Sequence, residues 1–516
     1  MSINKERIGI YRKIVTSTAV LGSAQLLNML MNMVRGRLVA TILHSSGIGV
    51  MSLITNAQNT LQQIALMGIN ISAVRSVSQA SDQTDHEMLD FTIRVVRTIV
   101  MIAAVAGLLL TIVMSPLMSE FSFGSSDYVV MFLMLSVSVM FSVLGAGETT
   151  IMQGLRRYKQ LAFCSIIPPL CGLFLSIPLY YFGGIKAIVP AMILVNAIYF
   201  IFVRRYSYHA DSKAGTSRTR LSLKAVWVQG HDIILFGIVM AVGSIVGTIT
   251  TYSLSAFISN IGSVSDVGFY QSANVITLQY IGIVFTAMAT DYYPHLSNLV
   301  KNSMRQAFRL VNQQTEIVML TVAPLSLLII LTAPLIITIL LGSDFMTIKT
   351  MVQFIGMSSV FKALCFPMDY IAYAKGDKQY IFWVETVWCN LKTFALMALF
   401  YYFVGLDGLG YGALLSAVVD VAVSAVLVRW RYGFAWTAAT FRLIIVLVAM
   451  GLACLAFSFI GSALLSYLLM AAVTAVCFAF SFVQLDKRMD LRSVLSRWMK
   501  KFKRNTEDEG HATSES

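Results

Sequence analysis

YYFGGIKAIVPAMIL, residues 180–194, returns as YYFVGLDGLGYGALL at residues 401–415, an offset of 221. Two shorter pairs recur 219 residues apart: Lys159 with Lys378, each followed by Gln, and Gly49 with Gly268. Each match is short, but the offset is nearly constant. The pattern therefore predicts an ancient duplication, in which the second part of the chain repeats the first.

The composition is that of a protein embedded in lipid. Of the 516 residues, 57% are hydrophobic and 12% are charged, and the mean hydropathy is +0.75. A soluble globular chain carries about 25% charged residues. Apolar stretches of about 20 residues recur to the end of the chain, each long enough to cross the hydrocarbon core as a helix. They are too long and too uniformly apolar for barrel strands, so we predict an all-α polytopic membrane protein.

We predict about 14 transmembrane helices, and the charged start followed by apolar residues from Ile14 predicts a retained first span. The spans cover residues 14–43, 48–77, 91–118, 128–155, 160–182, 185–206, 230–258, 267–297, 306–340, 347–374, 379–403, 406–429, 440–461 and 463–485. Spans 1–6 would repeat as spans 7–12. Since six is even, the repeats are parallel, which predicts two six-helix lobes around a central cavity plus two extra C-terminal helices.

The repeat and the charge pattern divide the chain into five parts. They are an N-lobe at residues 1–210, a basic cytoplasmic linker at 211–229, a C-lobe at 230–433, spans 13 and 14 at 434–486, and a basic then polar cytoplasmic tail at 487–516.

Lysine and arginine are concentrated in alternate loops. Most of the 38 basic residues fall on one side of the predicted topology, whereas the opposite loops hold only Lys186 and Lys349. By the positive-inside rule, both termini are cytoplasmic. The net charge of +13 then reflects the membrane topology and favours contact with anionic lipid. It does not indicate nucleic-acid binding.

No catalytic motif is present in the sequence. The predicted outer loops are at most about 10 residues long, which leaves no room for an external catalytic domain. We find no P-loop, G-x-S-x-G or H-E-x-x-H, and the six cysteines form no C-x-x-C pair. The sequence therefore predicts neither an enzyme nor a cofactor or metal site, and any transport would run on a substrate or ion gradient.

Five segments together resemble the MOP superfamily of flippases, and within it the Wzx type, which moves undecaprenyl-diphosphate-linked oligosaccharides. They are RGRLVATILHSSGIGVMSL (35–53), LMGINISAVRSVSQ (66–79), IMQGLRRYKQ (151–160), DVGFYQSANVITLQYIGIVFTAMATDYYPHLSNL (266–299) and VFKALCFPMDYIAYAKGDKQYIFWVE (360–385). The resemblance covers about residues 10–435, and its last segment resembles enterobacterial common antigen and O-antigen flippases more than drug exporters. Wzx proteins usually have twelve spans and the related lipid II flippases have fourteen, so the span count does not assign the substrate.

The resemblance implies a lipid-linked oligosaccharide flippase of the bacterial inner membrane, working by alternating access and coupled to an ion or proton gradient. The expected partners are a polyprenyl-diphosphate-linked glycan, the lipid bilayer, and glycan polymerase and assembly proteins. Three alternatives stay open. The first is a cation-coupled exporter of small amphiphiles from the same superfamily, and the others are a membrane glycan polymerase or ligase and a transport-inactive scaffold.

Four basic residues are assigned to neither side of the membrane by the charge pattern of the loops, and charge inside a span is costly. They are Arg35, Arg37, Lys362 and Lys392. Arg35 and Arg37 are about 200° apart around a helix, so they cannot both face one cavity wall. We favour Arg35 for the cavity, because the related lipid II flippases carry a substrate-facing arginine at a similar place. Snorkelling to the outer headgroups and structural ion pairs are the alternatives.

Uncharged polar residues mark span 2. Asn56, Asn59, Gln62 and Gln63 cannot meet lipid cheaply, so they are expected to line water or another helix and to suit glycan hydroxyls.

Acidic residues inside the spans are candidates for gradient coupling. They are Glu148, Asp291, Asp369, Glu385 and Asp420. Glu148 is the best candidate in the N-lobe, since an apolar environment favours the protonated form of a carboxyl group. Asp369 lies seven residues after Lys362 and Glu385 seven residues before Lys392, each on the same helix face as that lysine, so salt bridges that hold the C-lobe together are the alternative role.

Overall fold

Helices separated by short turns make up the described part of the chain, residues 2–82, 86–211 and 223–489 of a computed structural model. The α-helices are α1 (Ser2–Leu66), α2 (Ile69–Asp82), α3 (His86–Phe123), α4 (Val129–Gly154), α5 (Tyr158–Cys171), α6 (Ile177–Gly183), α7 (Ile188–Asp211), α8 (Leu223–Ile261), α9 (Val264–Asn302), α10 (Met304–Leu340), α11 (Lys349–Lys375), α12 (Lys378–Tyr380), α13 (Cys389–Val404), α14 (Leu406–Tyr432), α15 (Ala438–Phe457) and α16 (Ala463–Met489).

Several of these helices are parts of one membrane passage. A kink at His44, where φ is 54°, divides α1 into passages one and two. Passage two bends again at Met67 and Gly68, both with positive φ, and ends with α2. π-helical segments join α5 to α6 (Gly172–Ser176) and α12 to α13 (Ile381–Trp388). Counted in this way, the described residues form fourteen helical passages, so the predicted fold class is confirmed.

Hydropathy alone identifies eleven membrane-spanning segments among the described residues. Two of them, Leu27–Leu66 and Lys159–Ser207, each hold two passages. The remaining passage is α9. The protein is therefore a multi-pass membrane protein.

The repeated sequences adopt the same local backbone. Gly184 and Gly405 both have positive φ, and their N–H groups donate to the carbonyls of Tyr180 and Tyr401, which are both buried. The ends of α4 and α11 match as well. Arg157 N–H donates to Met152 O and Asp377 N–H to Ala372 O, both at 3.0 Å, with a positive-φ residue just before each donor. These equivalent Schellman-type ends lie 220 residues apart, as a duplication requires.

Two compact units group the helices. The first unit comprises Met1–Ser272, Ile337–Ile348 and Phe382–Leu406, and the second comprises Ala273–Ile336, Lys349–Ile381 and Asp407–Ser516. The predicted lobe boundaries stay a prediction. The central part of the predicted linker and nearly all of the predicted tail lie outside the described residues.

In the second unit, the C-terminal helices are joined to α10 by a polar cluster. Glu316 of α10 accepts hydrogen bonds from Thr440 of α15 (2.7 Å) and from Arg488 of α16 (2.7 Å). Gly451 of α15 packs against Met357 of α11. Spans 13 and 14 therefore pack on spans 9 and 10 within this unit.

Candidate functional site: an uncharged polar cavity

A cavity of about 680 Å³ lies inside the first unit, between the second passage, α4 and α7. It is lined by Gln58, Asn59, Gln62, Asn70, Ile71, Val74, Ser142, Ala146, Thr149, Thr150, Gln153, Asn196 and Tyr199. None of these described lining residues carries a charge. Amide and hydroxyl groups supply hydrogen-bond donors and acceptors on three of its walls.

Two hydrogen-bonded groups fix the shape of the cavity wall. Ser138 donates to Gln58 Oε1 (2.8 Å), and Asn196 donates to Ser138 Oγ (2.9 Å), which joins α1, α4 and α7. On the same wall, the hydroxyls of Thr149 and Tyr199 are 2.7 Å apart. These bonds tie the Tyr199 ring to α4, so the wall is organised without a ligand.

Asn70 lies beyond the break in passage two, on α2. Its Oδ1 is buried and has no hydrogen-bond partner among the described residues. The break itself is fixed by close packing, because a Cβ on Gly68 would lie 2.1 Å from the carbonyl oxygen of Gly237 in α8. A buried acceptor without a partner is costly, so this group is suited to a ligand or water that donates to it.

The four predicted residues of span 2 divide into two pairs. Asn59 and Gln62 line the cavity, whereas Asn56 donates to Ser255 of α8 (3.0 Å). Gln63 is not among the lining residues, and its carbonyl accepts from Met67 N–H.

The α4 wall was missed from the sequence. Ser142, Thr149 and Gln153 line the cavity, and because they are seven and then four residues apart they share one face of α4. That periodicity is the signal that could have identified them.

Glu148 lies next to two of the lining residues but takes part in an ion-pair cluster. Its carboxylate accepts two hydrogen bonds from Arg97 of α3, both 3.1 Å, and also contacts the Arg204 guanidinium of α7. Arg97 donates in addition to Ser207 (3.1 Å). The expectation of an apolar environment for Glu148 is therefore wrong, because two guanidinium groups surround a carboxylate that is 5% exposed.

The two arginines of span 1 have different surroundings, as their spacing predicts. Arg37 Nη1 donates to Thr338 O (3.1 Å) near the C-terminal end of α10, a favourable place for a cation. The Arg35 guanidinium lies over Gly172 in the π-helical segment of passage five. A Cβ at that glycine would be 3.1 Å from Arg35 Cζ. Arg35 Nε is buried and has no hydrogen-bond partner among the described residues.

The remaining predicted residues are distributed over both units. In the first unit, Lys392 is 7% exposed and Glu385 lies in the π-helical segment before α13. In the second unit, Lys362 is exposed, Asp420 is half-buried, and Asp369 accepts from the Tyr380 hydroxyl (3.3 Å). Asp291 lies on α9, and its side chain is outside the described residues.

Comparison with known proteins identifies the family. Residues 38–350 match the family described as "Polysaccharide biosynthesis protein". The chain belongs to this family. No curated protein matches the chain.

Solved structures share the fold. One is described as "Lipid II flippase MurJ, inward closed conformation", with 13% identity, a TM-score of 0.70, and coverage of 91% of this chain and 99% of that chain. An inward-facing multidrug resistance MATE transporter of the MOP superfamily has 14% identity, a TM-score of 0.61, and coverage of 80% and 98%. A eukaryotic MATE transporter has 14% identity, a TM-score of 0.52, and coverage of 85% and 100%.

The family match confirms the predicted link to polysaccharide biosynthesis, and the solved structures show that the chain shares the fold of the MurJ and MATE proteins.

Proposed function

We propose that the protein flips an undecaprenyl-diphosphate-linked oligosaccharide from the cytoplasmic to the periplasmic leaflet by alternating access, coupled to an ion or proton gradient. The bacterial inner membrane, cytoplasmic termini and contacts with glycan polymerase and assembly proteins are parts of the same proposal. An O-antigen or enterobacterial common antigen unit is the expected class of glycan.

The uncharged polar cavity is the observation that carries this proposal. A sugar chain must cross the membrane with many hydroxyl groups, and each polar group buried without a hydrogen bond costs about 1–3 kcal/mol. The amides of Gln58, Asn59 and Gln62 offer both donors and acceptors within a helical membrane bundle. Such a wall replaces the hydrogen bonds that sugars lose when they leave water.

The diphosphate needs cations, and Arg35 is the strongest candidate. Its buried Nε has no partner among the described residues, whereas Arg37 donates to a backbone carbonyl. A cation at about 4 Å from a phosphate charge contributes about 4 kcal/mol at an effective dielectric of 20. We propose that Arg35 contacts the diphosphate, that Lys362 and Lys392 supply further positive charge during its passage, and that the polyprenyl tail stays in lipid.

The charge of the cavity favours this substrate over the alternative of amphiphilic cations. A cation exporter needs an acidic binding site, and none of the described residues that line the cavity is Asp or Glu. The positive residues Arg35, Lys362 and Lys392 would also repel a cation.

Reconstitution tests the proposal directly. Proteoliposomes would hold the purified protein and a polyprenyl-diphosphate oligosaccharide with a fluorescent sugar, and a membrane-impermeant quencher would report its leaflet. We expect protein-dependent transfer that is accelerated by an imposed proton or cation gradient. Transport of an amphiphilic cation such as ethidium, without transfer of the glycolipid, would contradict the proposal and favour the exporter.

A further inference from the structure

We propose that the cavity of the first unit is a sugar-binding subsite that selects uncharged sugar residues of the glycan and disfavours acidic ones. This inference rests on the proposed function and adds to it a substrate class, a location and a set of specificity residues. The diphosphate would be bound elsewhere, by the cations named above.

The size of the cavity fits part of a glycan. Its volume of about 680 Å³ lies inside the range of roughly 300–1,000 Å³ that is usual for small-molecule sites. It therefore holds a short segment of a sugar chain, and the rest of the oligosaccharide must lie outside it. Selection would act on that segment.

The arrangement of polar groups is that of a prepared site. Gln58, Ser138 and Asn196 are held by mutual hydrogen bonds, so their orientations are set before a ligand arrives. Two other lining residues can meet a ligand: Asn59 is exposed to the cavity, and the buried Oδ1 of Asn70 has no partner among the described residues. A sugar hydroxyl would donate the hydrogen bond that Asn70 Oδ1 does not receive from the described residues.

Tyr199 adds an aromatic face to the polar wall. Its hydroxyl is bonded to Thr149, which fixes the ring at the cavity surface. An aromatic ring with its polar tip anchored presents apolar area to the C–H face of a sugar, while the amides meet its hydroxyls.

The absence of charged side chains among the described lining residues would make the subsite prefer neutral sugars to acidic ones. An acidic sugar would bring a carboxylate into a site in which no described lining residue is Lys, Arg or His. An uncompensated buried carboxylate is strongly disfavoured. A neutral or N-acetylated sugar carries no such penalty and matches the amide donors and acceptors.

Direct binding to the purified full-length protein in detergent tests the inference. The neutral probe is chitotriose, and the acidic comparison is trigalacturonic acid, both measured by titration calorimetry. We expect saturable binding of chitotriose and at least tenfold weaker binding of the acidic trisaccharide. Asn70→Ala and Gln62→Ala should each weaken chitotriose binding at least tenfold.

Asn56→Ala is the matched control, because Asn56 is an amide of the same passage that donates to Ser255 and does not line the cavity. It should bind chitotriose as the wild type does. Gln62→Arg introduces a cation into the site, so it should shift the preference towards trigalacturonic acid. This variant keeps the test informative if an alanine variant folds poorly.

Three results would overturn the inference: no binding of chitotriose, equal binding of both probes, or equal weakening by Asn56→Ala and Asn70→Ala. A cavity that holds only water gives the first of these results. Glycolipid transfer in proteoliposomes without chitotriose binding would refute the subsite and leave the proposed function intact. Chitotriose binding without glycolipid transfer would refute the proposed function instead.

Discussion

Gly49 and Gly268 lie against each other where passage two crosses α9. A Cβ on Gly49 would lie 1.8 Å from Val264 O, and a Cβ on Gly268 would lie 2.0 Å from Ser45 O. The contact is reciprocal in sequence, because Val264 follows Ser45 by the same 219 residues that separate the two glycines. Equivalent positions of the repeat thus meet within the first unit, as expected of a pseudo-two-fold contact between duplicated helices.

Gly268→Ala should destabilise the protein because there is no space for a methyl group between these backbones. Small residues allow close helix approach in membranes, and overpacking costs about 1–3 kcal/mol. Gly282→Ala is the matched control on the same helix, since no described atom lies within 4 Å of its Cβ position. Thermal unfolding in detergent should show a lower midpoint for Gly268→Ala and no decrease for Gly282→Ala. Equal midpoints would mean that the helices separate freely at this crossing.

Asp377, in the turn between α11 and α12, should give a stabilising contact that is lost in acid. Hydrogen bonds from Arg431, one of them 3.0 Å long, hold the pKa of its carboxyl below the ordinary value, at about 2. A carboxyl with a lowered pKa in the folded state stabilises it above the ordinary pKa of about 3.8, and this contribution falls as pH approaches about 2.

Asp377→Asn should therefore cost about 1 kcal/mol of stability at pH 7. The gap between wild-type and variant unfolding midpoints should be the same at pH 7 and pH 5 and smaller at pH 3. A gap that stays constant down to pH 3 would show that the ionised carboxylate contributes nothing there.

Glu148 and Asp420 are the acids for which we predict a role in coupling. Glu148→Gln and Asp420→Asn should abolish the dependence of transport on a pH gradient while the protein stays in the membrane. Transport assays in proteoliposomes, with and without an imposed gradient, measure this. Full gradient-driven transport by both variants would show that neither residue carries the proton.

Glu148→Gln should also lower stability, because it leaves Arg97 and Arg204 without their shared carboxylate. Breaking a buried ion pair costs about 3–5 kcal/mol, and the lower end is expected here since the Arg204 side chain is 41% exposed. Arg97→Gln in the same chain should restore part of the loss. No recovery in the double variant would show that the cluster does not act as an ion-pair unit.

The passages could be predicted from the sequence because each one is a long apolar stretch, and hydropathy reports that directly. The bends could not. His44 and Met67 have positive φ, which their residue types do not signal, and tertiary packing such as that of Gly68 on Gly237 holds such bends in place.

The site was predictable only in part. Asn59 and Gln62 were found because the amides of passage two stand out in an apolar helix. The environment of Glu148 could not be inferred, because its partners Arg97 and Arg204 are 51 and 56 residues away in the sequence and lie on other helices. The serines and threonines of α4 are common in membrane helices, so only their shared face distinguishes them.

Variants of Arg35 and Lys362, two basic residues within the spans, test the central claim that fixed positive charge carries the diphosphate. Arg35→Ala and Lys362→Ala should each stop flipping, whereas Arg35→Lys and Lys362→Arg should retain part of it. Arg37→Ala should be milder, because Arg37 donates to the Thr338 carbonyl and not to a ligand.

The most direct measurement is the amount of surface glycan restored in a flippase-null cell by the Arg35→Ala, Lys362→Ala double variant, with protein level checked. We predict no surface glycan from the double variant, and near-normal glycan from Arg37→Ala expressed at the same level. Normal surface glycan from the double variant would contradict the account and show that these charges have a structural role only.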